Sequence, residues 1–71
     1  MTVAQIVAKR LGMLLKLKSI TRAELAESTG IKRQSISRYL AAEDVPGGEN
    51  LRKLAIALST TTDNILGMDL P

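Results

Sequence analysis

From Thr21 to Leu40 the chain reads TRAELAESTGIKRQSISRYL, and this order of residues permits little besides two short helices joined by a tight turn. Thr21 and Glu24 form a Thr-x-x-Glu capping box, in which the hydroxyl accepts the Glu24 amide and the carboxylate reaches back to the Thr21 amide. The helix so started carries Ala23, Leu25 and Ala26 and stops near Gly30, which can take a left-handed conformation without a Cβ penalty. The second helix, about Arg33 to Ala41, has two faces that the 3.6-residue period separates. Ile36, Tyr39 and Leu40, with Ile31 just ahead of them, face inward, while Arg33, Gln34, Ser37 and Arg38 share the other side.

None of those four outward residues is apolar. Arg and Gln carry planar forks that match base edges in the DNA major groove, Arg to guanine and Gln to adenine. Lys32 stands where the N-cap falls and Arg33 follows it, although a helix start prefers Ser, Thr, Asp or Asn and favours negative charge. Two cations there are mildly unfavourable in the free protein and become favourable if a phosphate docks at that helix end. The plainer reading is a pair of solvated basic residues on a surface helix.

The rest of the chain reads as scaffold. Seventy-one residues make one domain, and an apolar fraction of 45% with one Tyr, no Phe and no Trp fits helices packed through Leu, Ile, Val and Ala, so an all-α fold is expected. There is no apolar run of 18 residues and no apolar core of a signal peptide at the N-terminus. Cysteine and histidine are both absent, which removes disulfides, thiolate chemistry, imidazole general bases and the usual zinc ligands together. The seven acids, Glu24, Glu27, Glu43, Asp44, Glu49, Asp63 and Asp69, suggest neither a metal cage nor an acid/base couple, so no enzyme is expected. The net charge of +3 favours polyanions moderately, and its placement says more, since Arg22, Lys32, Arg33 and Arg38 all fall in the two-helix unit.

A first helix is expected from about Thr2 to Lys18, with Thr2 able to cap it and Val3, Val7, Leu11, Leu14 and Leu15 at helical spacing. Gly12 inside it costs up to about 1 kcal/mol relative to Ala, tolerable where another helix passes closely. Met13 and Leu17 exceed a single inward stripe and read either as exposed residues or as part of a partner interface. Residues 43–48, EDVPGG, form a loop by composition. A fourth helix follows, LRKLAIAL, started by Asn50 or a neighbouring backbone group, with Leu51, Leu54, Ala55 and Leu58 on one face and Arg52 and Lys53 outward. A fifth, short helix over Thr62 to Leu66 ends at Gly67.

Taken together, TRAELAESTG, IKRQSISRYL, VPGGENL and LAIALSTTTDNIL resemble the helix-turn-helix domain of lambdoid phage repressors and Cro proteins, the xenobiotic-response-element type, over nearly the whole chain. The resemblance implies a compact five-helix domain with the helix-turn-helix unit at about 21–41, the second helix of the unit lying in the major groove and the first crossing the backbone. Carried over by position, Thr21 and Arg22 would meet phosphate, Arg22 also near the outermost base pair; Arg33 and Gln34 would read bases, Arg38 would read a base or grip a phosphate, Ser37 would support the readout and Lys32 the phosphate side. At the fourth helix Gly48, Glu49 and Asn50 would donate to phosphate, with Asn50 the better candidate. Dimer contacts fall by analogy on Asn64, Ile65, Met68 and Leu70, although for Ile65, as for Leu66, plain core is the better reading.

Two departures stand out. An Arg and a Glu that are often paired between the first and third helices are matched here by Leu15 and Leu40, an apolar pair that can replace a buried ion pair at little cost. The loop after the recognition helix, often basic, carries Glu43 and Asp44, which weakens its phosphate grip. Tyr39 is expected to pack rather than touch DNA. The function implied is a sequence-specific transcriptional regulator of phage or prophage type, a homodimer on an inverted repeat, in the cytoplasm of a bacterial or phage-infected cell, with no cofactor, metal or small-molecule ligand. The Met1 start and short tail point to a full-length Cro-like protein rather than a trimmed repressor domain. The rival is an antitoxin or small helical adaptor working through Met13 and Leu17, for which the basic polar face of the second helix would have no use.

Overall fold

Reciprocal capping boxes start the first two helices. In the computed structural model, which describes residues 1–68, α1 (Val3–Lys18) begins where Thr2 Oγ1 accepts the Gln5 amide at 3.2 Å and Gln5 Oε1 accepts the Thr2 amide at 2.9 Å. The same pair of bonds opens α2 (Arg22–Thr29), Thr21 Oγ1 to the Glu24 amide at 3.1 Å and Glu24 Oε1 to the Thr21 amide at 2.9 Å. The sequence signalled Thr2 as a cap, and Gln5 supplies its counterpart. The chain leaves α1 through Ser19 in the left-handed region, φ 55°, and leaves α2 through Gly30 at φ 75°, whose amide bonds Ala26 O at 2.8 Å. Thr29 pins that second turn, donating its hydroxyl to Leu25 O at 2.7 Å and accepting the Ile31 amide at 3.1 Å.

The remaining elements are α3 (Arg33–Leu40), α4 (Gly48–Ala57) and α5 (Thr62–Ile65). Helix α4 starts earlier than its apolar face suggests: Gly47 is the N-cap, with no side-chain cap bond, and Asn50 lies inside the first turn rather than ahead of it. Gly47 serves as the N-cap, where glycine is accepted, and Gly48 is at the helix terminus rather than in its interior, where its entropic cost is greatest. Helix α5 is capped by Thr61 Oγ1, which accepts the Asn64 amide at 3.0 Å, and stops one residue sooner than expected, with Leu66 as C-cap. Among the described residues no strand forms, and no helix is long and apolar enough to cross a membrane.

Helix α1 packs against α3 and α5, α2 against α3 and α4, and α4 against α5, so the core is the space these five enclose. It is filled by Val7, Leu11 and Leu15 from α1, Leu25 from α2, Ile31 from the turn, Ile36 and Tyr39 from α3, Leu54, Ala55 and Leu58 around α4, and Ile65 from α5. At about 1.5–3 kcal/mol for each large side chain fully removed from water, this burial is what holds helices of eight and ten residues in place. Leu14, Leu40 and Leu51 are only partly buried at its edge, and Val3, expected in the inward stripe, is 52% exposed because the first turn of α1 runs past the core. Leu15 and Leu40 border the same surface hollow between α1 and α3, where the apolar replacement for the ion pair was expected.

Ile65 is fully enclosed in this core. It therefore has no surface to offer a second copy, and its assignment to a dimer contact is corrected to a packing role. A truncation tests this directly: Ile65→Ala should lower the unfolding free energy by about 2–5 kcal/mol, as cavity-forming changes do, and by the same amount at every protein concentration in chemical denaturation. Gly12 is not forced by crowding, since a Cβ there would meet Leu40 Cδ2 at 3.9 Å, an ordinary contact. Gly12→Ala should therefore stabilise the fold by about 0.5–1 kcal/mol, read as a raised melting temperature.

The Thr21 amide, and then its hydroxyl, hold the exposed Glu24 carboxyl below its ordinary pKa, a small desolvation opposing them. A depressed folded pKa contributes stability above the unfolded value and loses it as pH falls through the folded one. Thermal melts should thus weaken as the solution is acidified through and below the usual glutamate range. Glu24→Gln, which keeps an amide oxygen in the place that Gln5 fills in α1, should show a smaller dependence over that window.

Candidate nucleic-acid interface

Burying Ile36 and Tyr39 turns the opposite side of α3 to solvent. Arg33, Gln34 and Arg38 are exposed there and Ser37 is partly buried between them. Arg33, Gln34 and Arg38 have no hydrogen bond or ion pair among the described residues. Long polar side chains left in this state keep their donors available, at the cost of the rotamer entropy lost when something binds them.

Arg22, at the first position of α2, reaches across to α3, where its Nη1 donates to Ser37 Oγ at 3.3 Å. This bond joins the two helices of the unit on the solvent side, as Leu25 and Ile36 do on the inner side. Arg22, Gln34, Ser37, Arg38, Ala41 and Glu43 together border one open, polar hollow of about 590 Å³. The sequence spacing of 34, 37, 38 and 41 already describes a helical stripe, so Ala41 could have been added to the face from sequence. Glu43 could not, because it follows the helix and returns through the turn at Ala42, φ 59°, with its amide on Arg38 O at 2.9 Å.

The expected phosphate contacts are of unequal standing. Lys32 is exposed and supplies no side-chain acceptor to α3, so the first amides of that helix remain open toward solvent, with the positive end of the dipole and two cations beside them. Thr21 is exposed, but its amide is already held by Glu24, which leaves only its hydroxyl proton to offer. Asn50 is half-buried and its Nδ2 donates to Tyr39 Oη at 3.1 Å. Its amide group therefore ties α4 to α3, and the open backbone amides of Gly48 and Glu49, at an end with no side-chain cap, are the freer anion donors. Tyr39 is buried, 4% exposed, as a packing residue with a satisfied hydroxyl.

Of the residues nominated for pairing, Asn64 is half-buried and committed within the chain: its Oδ1 accepts from Arg10 Nη1 at 3.0 Å and its Nδ2 donates to Thr60 Oγ1 at 2.9 Å. Met68 is exposed, and Leu70 lies outside the described residues. The larger apolar exposure is on α1, where Met13 and Leu17 are 59% and 80% exposed. With Leu14 they line a groove of about 520 Å³, bounded by Arg10, Lys16 and Asn64. Among the described residues no cluster of His, Cys, Asp or Glu could hold a metal ion.

A profile of the helix-turn-helix family matches residues 11–65. The chain is also similar to the cryptic phage CTXphi transcriptional repressor RstR of Vibrio cholerae serotype O1 (strain ATCC 39315 / El Tor Inaba N16961), at 34% identity over 61 residues, which is 86% of this chain and 54% of that protein. The chain thus spans about half the length of this relative. No solved structure matches it by the same standard. The matched region runs from the middle of α1 to the end of α5 and contains the whole α2–turn–α3 unit, so the chain belongs to the helix-turn-helix family of Cro/repressor type.

Proposed function

We propose that this protein is a sequence-specific, DNA-binding transcriptional regulator of phage or prophage type that binds an inverted repeat as a homodimer, with α3 in the major groove. The observation that carries the reading is the outer face of α3: three long polar side chains with no partner among the described residues, beside the Arg22–Ser37 bond, on a helix whose start is open and basic. Arg33 and Gln34 read base edges, Arg38 reads a base or grips a phosphate, Ser37 supports the readout, and Arg22, Lys32 and the first amides of α4 hold phosphates. RstR, described as a transcriptional repressor, supports the same reading.

The size of the protomer supports a dimer. A protomer with extents of 32 × 23 × 22 Å covers roughly one turn of duplex, about 34 Å, and so one major-groove face. A second copy related by two-fold symmetry doubles the phosphate contacts and the bases read. Met68, which follows α5 after Gly67, is the exposed member of the nominated pairing set among the described residues. A second reading, an antitoxin or adaptor, is favoured by the Met13–Leu17 groove, which lies on a different face of α1 from the one that meets α3.

Selection from a randomised duplex library at near-physiological salt separates the two. The DNA-binding reading expects an enriched inverted repeat with half-site centres about one helical turn apart. On that site Arg33→Ala or Gln34→Ala should each cost about 1–3 kcal/mol and relax preference at one base position. Arg22→Ala should weaken binding to all sequences and reduce the salt slope by about one per half-site. If no sequence is enriched and the Arg33 and Gln34 variants bind DNA like the wild type, the adaptor reading takes its place.

A further inference from the structure

The polar hollow on the α3 face contains one acid, Glu43. Its neighbour Asp44 is accounted for locally, since Asp44 Oδ1 accepts the Val45 amide at 2.9 Å. Glu43 differs in that its backbone is fixed, by the amide bond to Arg38 O, while its exposed carboxylate makes no hydrogen bond or ion pair among the described residues. Arg22 and Arg38 border the same hollow, and neither is paired with it. The structure thus holds an acceptor-only group at the rim of a surface whose other side chains are two guanidinium donors, an amide, a hydroxyl and the Ala41 methyl.

Such a group is unfavourable against a phosphate and against most base edges, because guanine N7 and O6, adenine N7 and thymine O4 are all acceptors. It is favourable against an exposed amino group. Cytosine N4 supplies one, and no major-groove acceptor lies beside it on the same base, whereas the adenine N6 amino group is flanked by N7. We propose that Glu43 is a specificity-determining residue, whose carboxylate accepts from the N4 amino group of a cytosine at one position of each half-site and rejects the other bases there. The assignment rests on the DNA-binding function proposed above. The acid in the loop then weakens nonspecific attachment and strengthens discrimination through one group.

The test is Glu43→Gln, a change of one exposed side chain with nearly the same shape. Base preference is measured at every position by library selection for wild type and variant, followed by binding to the wild-type consensus, to single-position changes of it and to a scrambled duplex. The wild type should require cytosine at one position per half-site. The variant should lose about fivefold to a hundredfold of that discrimination, shift its preference there toward adenine, which matches the glutamine fork, and bind the scrambled duplex more tightly than the wild type does. A profile unchanged at every position, or an affinity gain equal for all sequences, would mean Glu43 is a nonspecific repelling charge and overturns the proposal while leaving the regulator reading intact. A wild type that selects no sequence overturns both.

Discussion

An eight-residue helix with no side-chain N-cap has little reason to be helical by itself, and α3 is such a helix. What keeps it folded is the burial of Ile36 and Tyr39, with Ile31 just before them, against α1 and α2. That single anchorage has two effects. It stabilises the helix, and it fixes its rotation about its own axis, so the exposure of Arg33, Gln34 and Arg38 follows from the packing of residues that never reach the surface. The polar face could tolerate wide substitution without loss of fold, whereas the buried face could not.

The local devices were legible in the chain because each depends on residues three or four apart. The Thr21–Glu24 box, the left-handed turn at Gly30 and the uncapped Lys32 are of this kind, and all three stand in the structure where the residue order put them. What was harder to read depends on contacts across the fold. The position of Val3 outside the core and the engagement of Asn64 by Arg10 are set by how far α1 extends past α5 and where α5 lies on it. Glu43 joins the α3 hollow only because Ala42 adopts a positive φ, a conformation that alanine rarely takes and that no pattern in the sequence announces.

The same distinction separates the two helix starts that lack side-chain caps. At α3 the missing cap was visible, as lysine stands in the N-cap place. At α4 it was hidden, because Asn50 looks like a cap and is instead turned toward Tyr39. Both starts leave amides without a side-chain cap, at α3 beside Lys32 and Arg33 and at α4 beside two glycines, with Glu49 in the first turn of α4 opposing an anion there.

The Tyr39–Asn50 hydrogen bond ties the last turn of α3 to the first turn of α4. Tyr39 is seated in the core and Asn50 sits in the first turn of α4, so this bond couples the position of the α4 amides to that of the packed α3. On the proposed docking, a backbone phosphate held at α4 would act as a depth stop for α3, limiting how far its side chains enter the groove. Loosening that joint would leave each contact chemically intact and alter the angle at which all of them are presented.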